Sequence, residues 1–470
     1  MIADHLETCL ASFDADPDAK GLPASVQREF YDSLQCGILA HGFLRLGCDT
    51  CQKELLLPLS CKRRGFCPSC AGRRMAQTAA HLVECVIPWV PPRQWVVSVP
   101  IPLRYWSAPS QELTAQVHTI IRTTIGQYDV NQAVKRGSER QKVQPGSVTC
   151  IQRFGGALNF NVHSHVVFLA GAYLDRTDQG LKPRFLQVEP PRDADIAAVL
   201  QQISRRVIRT LRPWGYLETG IDAVATDYDP LRDDEPARAR TLAASVTQRI
   251  ACGERVGQQV RRMGSGFGYE GESPALTGPR CASVNGFSLH ANTQVPAHRR
   301  DQLERLLRYT ARGAVALERL AEDAHGDLVY TCTTPWSDGT TGITLAPLER
   351  LEKLAALVPL PRVQLVRYAG CLAPHSPLRG AILPTRRQQG GDGHEATTGT
   401  AHWSWARLLG RVCALAMAPC PFCRQGALRM LAALTQAEVL RTILRHLQRA
   451  ADPPPIAPAR ARQATFDWVA

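Results

Sequence analysis

Two apolar runs between Ser147 and Gly171 restrict the fold of this chain more than any other stretch of it. They are rich in β-branched and aromatic residues and are joined by a turn that contains Gly-Gly, which predicts a β-hairpin. The second run carries His163 and His165 with one residue between them. Because residues two apart on a strand point to the same face of a sheet, both imidazoles can reach one ion. We therefore expect a buried central strand that presents a metal site.

A third ligand for this ion is available on the partner strand. Antiparallel pairing could bring the amide of Gln152 beside the two histidines. Two nitrogens and one oxygen, with positions left open, suit a divalent cation such as Mg²⁺ or Mn²⁺ that polarises a phosphate. His290, in the later run NGFSLHANTQV, is the alternative third ligand. A His-x-His pair by itself is more often two packed histidines, so the interpretation depends on the rest of the chain.

Four cysteines near the N-terminus form two Cys-x-x-Cys pairs, Cys48 with Cys51 and Cys67 with Cys70, and 15 residues separate the pairs. This spacing is typical of a zinc ribbon, in which two tight turns place four thiolates around one ion. The metal replaces a hydrophobic core in so small a unit, because metal binding and folding are coupled. Cys61 is a fifth thiol that could take the place of one of the four.

Basic residues surround the second cysteine pair, namely Arg63, Arg64, Arg73 and Arg74. A rigid zinc-bound turn would present these charges to a DNA backbone, although a solvated basic rim has the same pattern. The whole chain is basic, since it contains 55 Lys and Arg residues and 42 Asp and Glu residues and has a net charge of +13. Such an excess favours a polyanionic partner, because each neutralised phosphate releases condensed counterions.

The sequence contains 16 cysteines, and the cellular compartment decides whether they form disulfides. The sequence has no run of about 18 apolar residues that could span a membrane, and its N-terminus lacks the charged start and long apolar stretch of a signal peptide. We therefore expect a cytoplasmic protein with no membrane partner. Its cysteines are then thiols or zinc ligands rather than disulfides.

The order of the predicted elements favours an α+β fold in which helices cover an antiparallel sheet. The patterns predict a strand that includes residues 96–101, a helix over 112–132, the hairpin and a helix over 186–211. A helix over 30–43 is expected near the N-terminus, and we assign its Cys36 and His41 to packing. Another helix is expected over 237–261.

We divide the chain into three parts, with a low-complexity linker near 384–402. The parts are a zinc-binding and DNA-binding domain (1–90), a central domain that contains the histidine pair (91–330) and a mixed helical accessory region (331–470). The accessory region contains another Cys-x-x-Cys pair, Cys420 and Cys423. Two thiols make an incomplete zinc site, which His402, Cys413 or a partner chain would have to complete.

The segment that follows His290 has the apolar spacing of an amphipathic helix, interrupted near Arg312 and Gly313. Tyr309 lies in this helix. A tyrosine at helical spacing is more often a packing residue than a nucleophile. However, Arg305, Arg308 and Arg312 would place positive charge around the phenol and hold a phosphate there.

Blocks of sequence along most of the chain carry a family resemblance. They are GSVTCIQRFGGALNFNVHSHVVFLAGAYLD, CKRRGFCPSCAGRRM, VNGFSLHANT, LERLLRYTARG, YTCTTPWSDGTT and LVRYAGCLAP. Together they resemble the IS91 group of rolling-circle transposases, relatives of the HUH single-strand endonucleases, over roughly residues 30 to 450. Two features depart from the group. Ser164 takes the position of the hydrophobe between the histidines, and one tyrosine stands in the block where founding members have two.

The resemblance implies an HUH-like sheet, an N-terminal zinc-binding domain and Tyr309 as the nucleophile. It also ranks Gln152 above His290, because in relatives the third metal ligand tends to come from the strand beside the histidines. The implied reaction is cleavage and rejoining of single-stranded DNA, at the element termini and the target, through a 5′-phosphotyrosine. Transfer of the second strand would use a second protomer, the released hydroxyl, or Tyr330 or Tyr368.

Two other functions fit the same residues. A replication initiator or a relaxase of this superfamily would use the same site on a different DNA. A zinc-containing regulator would bind DNA without cutting it.

Overall fold

A computed structural model describes residues 2–15, 20–214, 229–263, 278–333, 335–336, 338–384 and 419–460. The described strands are β1 (Phe43–Cys48), β2 (Glu54–Pro58), β3 (Pro92–Ser98), β4 (Val143–Phe154), β5 (Phe160–Leu174), β6 (Arg184–Gln187), β7 (Arg261–Met263), β8 (Cys281–Val284), β9 (Phe287–His290), β10 (Leu320–Glu322), β11 (Leu328–Thr331), β12 (Gly342–Leu345), β13 (Val366–Gly370) and β14 (Leu428–Leu434). The described α-helices are α1 (Ile2–Asp14), α2 (Ala24–Gln35), α3 (Pro68–His81), α4 (Ile101–Ser107), α5 (Gln111–Lys135), α6 (Asp193–Leu211), α7 (Pro230–Asp234), α8 (Pro236–Val246), α9 (Arg300–Thr310), α10 (Pro347–Leu357), α11 (Arg379–Ile382) and α12 (Ala437–His446). The α+β class and the antiparallel sheet with covering helices are confirmed.

The central sheet has the strand order β13-β4-β5-β3-β9-β8, and β6 pairs with β5. Every pair in it is antiparallel. The predicted hairpin is its middle, because β4 and β5 pair along most of their length with Gln152 opposite His163. The turn between them closes with a hydrogen bond from the Gly155 N–H to the Asn159 carbonyl oxygen, 2.8 Å.

Helices α5 and α6 cover one face of this sheet. Trp95, Val97 and Phe168 belong to the cluster that these helices bury. Helix α5 begins at a serine cap, since the Ser110 hydroxyl accepts from the Leu113 N–H at 3.0 Å. On the same face, Ser164 is 1% exposed and its hydroxyl lies 2.8 Å from Nδ1 of His118 in α5. This polar pair accounts for the serine between the two histidines.

The opposite face is covered by α3, a π-helical turn that continues it (Leu82–Val86), and α9. Leu303 and Leu307 of α9 lie four residues apart, the spacing of one helix face, and are buried against the sheet cluster. The loop after α9 also lies close to α3, because a Cβ on Gly313 would fall 2.4 Å from the Cβ of Ala71. The N-terminal segment therefore supports the helix that carries Tyr309.

Two smaller sheets complete the described fold, with the orders β14-β1-β2 and β10-β11-β12-β7. The first joins segments from opposite ends of the chain, since β1 pairs with β14 from Phe43↔Leu434 to Cys48↔Leu428. From the accessory region, β13 pairs with β4 in the central sheet. The same region also contains β12 and α10. The proposed linker near 384–402 lies outside the described residues, except for residue 384 itself.

Several predicted helices have different limits. The helix expected over 30–43 ends at Gln35, and the one expected from Leu186 begins only at Asp193 because β6 precedes it. The one expected over 237–261 ends at Val246, where the chain turns toward β7. After Gly313 the chain forms a 3₁₀ turn and β10, so the pairing of β10 with β11 overrides the helical spacing there. Among the helices of the described ranges, not one has both the length and the apolar content that a membrane crossing demands.

Candidate functional site

The predicted histidine pair lies on the sheet face that α9 covers. His163 and His165 stand two residues apart on β5, with ring centroids 5.0 Å apart. Gln152 lies directly opposite His163 in the β4–β5 ladder, and directly opposite residues of an antiparallel pair share a face. The hairpin therefore brings the three predicted metal ligands together.

The hydrogen bonds of the two rings determine which nitrogen is left for an ion. Nδ1 of His163 lies 3.0 Å from the carbonyl oxygen of Asn161, so it is the protonated nitrogen and Nε2 keeps its lone pair. The side-chain amide of Gln94 lies 2.7 Å from Nδ1 of His165 through its nitrogen. A half-turn of that amide lets its oxygen accept from Nδ1–H, which frees Nε2 of His165 in the same way.

Both histidines are neutral at neutral pH. Burial, together with the nearby charges of Arg104 and Arg312, lowers the pKa of His163 to about 4, although the hydrogen bond to the Asn161 carbonyl opposes this shift. Burial also lowers the pKa of His165 to about 3, with smaller contributions from His163 and Arg312. A neutral imidazole is the form that ligates a metal ion.

The nitrogen and the oxygen of the Gln152 side-chain amide have different surroundings. Its Nε2 donates to the last carbonyls of α9, at 3.0 Å to Tyr309 and 2.9 Å to Thr310. Its Oε1 and the Nε2 of His165 are buried and have no hydrogen-bond partner in the described part of the chain. Buried polar atoms are ordinarily paired, so this oxygen and this nitrogen fit a site that holds a cation.

His290 lies farther away. It pairs with Val96 of β3, and Val96 pairs with His165 on the other side. Two strand spacings separate the histidines, roughly 10 Å. The register therefore favours Gln152 over His290 as the third ligand.

Tyr309 occupies the last turn of α9, close to the histidines. Its ring lies 5.6 Å from the ring of His165, edge to face, and its side chain is 48% exposed. The guanidinium of Arg312 lies 4.5 Å from the centre of the same ring. An exposed phenol beside two buried imidazoles and a cation can receive a phosphate.

The three arginines expected around the phenol have different contact partners. Arg305 pairs with Asp301 at 2.8 Å, and Arg308 pairs with Glu304 at 2.9 Å. Arg312 alone of the three contacts the Tyr309 ring in the described structure, and its Nε has no hydrogen-bond partner there. The expectation that all three surround the phenol is wrong, because helical spacing places i,i+4 carboxylates beside the other two.

Three of the four arginines near the second cysteine pair contact neighbouring parts of the chain. Arg63 pairs with Asp32. Arg73 donates to the Ser60 hydroxyl at 3.1 Å, and Arg74 donates to the Arg63 carbonyl at 3.1 Å. Burial lowers the pKa of Arg64. Their contact with DNA stays a prediction.

The structure divides the four cysteines of the predicted ribbon between two clusters, in each of which the sulfurs lie within 4.8 Å of one another. One cluster contains Cys36, Cys61, Cys67 and Cys70, and the other contains Cys48, Cys51, Cys420 and Cys423. The prediction of one ribbon made of Cys48, Cys51, Cys67 and Cys70 is therefore wrong. The reason is β2, which returns antiparallel to β1 and carries the chain about 17 Å from the first pair before the second begins.

Some site residues were not found from the sequence. Gln94 and Arg104 come from elements before the hairpin and carry no motif, so only the sheet register places Gln94, on β3, and only the position of α4 places Arg104 near the histidines. Cys36 was assigned to packing, yet its sulfur lies 3.7 Å from that of Cys70. The available signal was its position shortly before a cysteine-rich segment. His402 and Cys413, the suggested partners of Cys420 and Cys423, lie outside the described residues.

Comparisons with known proteins match two family models to the chain. A family model described as “Putative transposase” matches residues 146–379, a range that includes the histidines, Gln152 and Tyr309. A second model, described as “Transposase zinc-binding domain”, matches residues 3–99 and includes the whole cluster around Cys67. No curated protein and no solved structure matches the chain. The chain belongs to the IS91-type transposases that carry an N-terminal zinc-binding domain.

Proposed function

We propose that this transposase cleaves and rejoins single-stranded DNA through a 5′-phosphotyrosine formed on Tyr309. The observation that carries the proposal is the convergence of an exposed phenol with two neutral imidazoles and an unpaired amide oxygen on one sheet face. Such a site brings a nucleophile and the ligands of a Lewis acid to the same phosphate.

In the proposed reaction the phenolic oxygen of Tyr309 attacks the scissile phosphorus. The phenol gives up its proton as the new bond joins Oη to phosphorus, the bond from phosphorus to the 3′ oxygen breaks, and the 3′ oxygen takes up one proton and leaves as a hydroxyl. Reversal of the attack by a new 3′-hydroxyl rejoins the strand. The phosphoester energy is retained in the intermediate, so the reaction needs no nucleotide cofactor.

The residues around the phosphate have separate roles. His163, His165 and Gln152 would hold Mg²⁺ or Mn²⁺, which supplies Lewis-acid polarisation of a phosphate oxygen. Arg312 lies over the Tyr309 ring and is placed to neutralise phosphate charge. Gln152 also fixes the end of α9 through the Tyr309 and Thr310 carbonyls, so it positions the nucleophile.

We assign the zinc of the N-terminal domain to Cys36, Cys61, Cys67 and Cys70. All four lie within the match to the zinc-binding family, and the Cys61 and Cys70 sulfurs are 3.4 Å apart. Cys67 precedes the first residue of α3 and Cys70 lies in its first turn, where the helix dipole favours thiolates. This ion would fix α3, on which α9 rests.

The test of the proposed function is a search for a covalent intermediate. Full-length protein is incubated with single-stranded oligonucleotides from an element terminus and Mg²⁺ or Mn²⁺, then denatured and digested. We expect a nucleotide-linked peptide that contains Tyr309, found by mass spectrometry. Linkage to Tyr330 or Tyr368 would contradict the assignment of the nucleophile. DNA binding without any adduct would favour the regulator.

Metal dependence distinguishes the two candidate third ligands. We expect Gln152→Ala to raise the Mg²⁺ concentration for half-maximal cleavage by at least about tenfold, because it removes an oxygen ligand. The matched control His290→Ala should leave that concentration unchanged. A lower rate at saturating Mg²⁺ with the same half-maximal concentration would mean that Gln152 only positions α9.

Zinc content tests the N-terminal cluster. Cys36→Ser and Cys67→Ser should each remove one zinc ion per chain and lower the melting temperature, since the metal contributes folding free energy. The control Cys332→Ser, outside both clusters, should keep the wild-type content. Full zinc content in Cys36→Ser would contradict the ligand set.

A further inference from the structure

The second cysteine cluster brings together residues that neither family match contains as a set. Cys48 and Cys51 belong to the zinc-binding match, whereas Cys420 and Cys423 lie beyond the end of both matches. Sulfur atoms of residues more than 300 positions apart approach closely, at 3.8 Å for Cys48 with Cys423 and 3.9 Å for Cys51 with Cys420. From this convergence we infer a second structural zinc site, which fastens the C-terminal segment to the N-terminal one.

The sulfur separations agree with a zinc ion. Four sulfurs at about 2.3 Å from zinc, in tetrahedral directions, lie about 3.8 Å from one another. A disulfide requires about 2.05 Å, far below either separation. Four thiolates with no oxygen or nitrogen ligand select a soft ion such as zinc or iron over Mg²⁺ or Ca²⁺.

The two turns that hold these cysteines have the same local construction. In each, the residue after the second cysteine adopts a left-handed conformation, with φ of 59° at both Gln52 and Arg424. In each, its N–H returns to the carbonyl of the first cysteine, at 2.9 Å for Gln52 and 2.8 Å for Arg424. Two sequences of different composition thus form the same metal-binding turn.

The second turn also directs backbone donors at its sulfurs. The Phe422 N–H donates to Sγ of Cys420 and the Gly426 N–H donates to Sγ of Cys423, both at 3.4 Å. Donors of this kind stabilise thiolates. Gly426 is required for the approach of the two turns, because a Cβ there would fall 2.7 Å from Sγ of Cys48.

The surrounding structure needs a cross-link of this kind. One face of the three-stranded sheet β14-β1-β2 has a small core, in which Leu46 and Leu428 are the buried aliphatic residues, while Phe43 packs with Leu440 and Leu444 on the other face. The face that carries the cysteines encloses little apolar surface, and a metal replaces a core in such units. The complete zinc ribbon of this protein is therefore assembled from both ends of the chain, and its ion holds β14 against β1.

Zinc stoichiometry of the full-length protein tests the inference, and it does not depend on the cleavage reaction. Protein purified under reducing conditions should contain about two zinc ions per chain. The double variant Cys420→Ser/Cys423→Ser should contain one fewer. A control with Cys281→Ser/Cys332→Ser, two thiols outside the clusters, should match the wild type.

Substitution of Cys48 and Cys51, alone and together with Cys420 and Cys423, tests whether the four cysteines bind the same ion. Cys48→Ser/Cys51→Ser should lose the same single ion, and the variant with all four serines should lose no more than either double variant. Unchanged zinc after loss of Cys420 and Cys423, or a further loss in the fourfold variant, would overturn the site.

Spectroscopy on the wild type covers the case in which a variant fails to fold. X-ray absorption at the zinc edge should show four sulfur neighbours and no nitrogen or oxygen around the average zinc, at about 2.3 Å. One zinc per chain in the wild type, or iron in place of the second zinc, would overturn the assignment.

Discussion

The Tyr309→Phe variant should form no covalent protein–DNA adduct and no nick. The substitution removes one oxygen and keeps the ring, so the contacts with His165 and Arg312 are preserved while the nucleophile is lost. We expect the cleavage rate to fall by more than roughly a thousandfold, the scale on which loss of a nucleophile acts. Denaturing gels with end-labelled single-stranded DNA measure both products.

Two tyrosines provide matched controls. Tyr330 is 1% exposed and its hydroxyl donates to the Ala314 carbonyl at 3.2 Å, so it packs inside the β10-β11-β12-β7 sheet layer. Tyr368 pairs with Val148, four residues along β4 from Gln152, which is about 13 Å. Their Phe variants should retain the adduct. An adduct of wild-type yield in Tyr309→Phe would show that another group attacks.

The His163→Ala/His165→Ala variant should lose cleavage while it keeps most of its affinity for DNA. Two of the three proposed ligands disappear, and a Lewis acid that stabilises the transition state by several kcal/mol corresponds to a rate factor on the order of a thousand. Binding rests mainly on arginine and lysine contacts with phosphates. Cleavage assays and equilibrium binding at one fixed salt concentration separate the two effects.

The matched control for the His163→Ala/His165→Ala variant replaces two exposed histidines by Ala. His298 and His325 lie on the surface, outside the sheet. Their double Ala variant should cleave as the wild type does. Cleavage at the wild-type rate in the His163 and His165 variant would remove the metal site from the proposal. Loss of DNA binding in that variant would mean that the histidines contact the strand themselves.

Local patterns in the sequence determined the helices and strands that carry the candidate site. Alternation and β-branched residues identified the β4–β5 hairpin, and the period of two placed His163 and His165 on one face. The pairing of Gln152 with these histidines also followed, because a hairpin fixes the register of its own strands. The helix that bears Tyr309 was found from its leucine spacing, but its end was not, since the strand pairing of β10 is a long-range interaction.

Only the tertiary structure decided how the cysteines are shared. Spacing alone predicted that Cys48 and Cys51 bind the same ion as Cys67 and Cys70. The spacing of cysteines in a sequence shows which thiols are able to bind one ion together, but not which of them do so in the fold. The pairing of β1 with β14 brings Cys420 and Cys423 to the first pair, whereas the reversal at β2 and the packing of Phe30 in α2 against Phe66 bring Cys36 to the second. The chain specifies each Cys-x-x-Cys turn locally, whereas the choice of partner depends on contacts between segments far apart in sequence, and the entropic cost of closing such long loops is offset only in the folded protein.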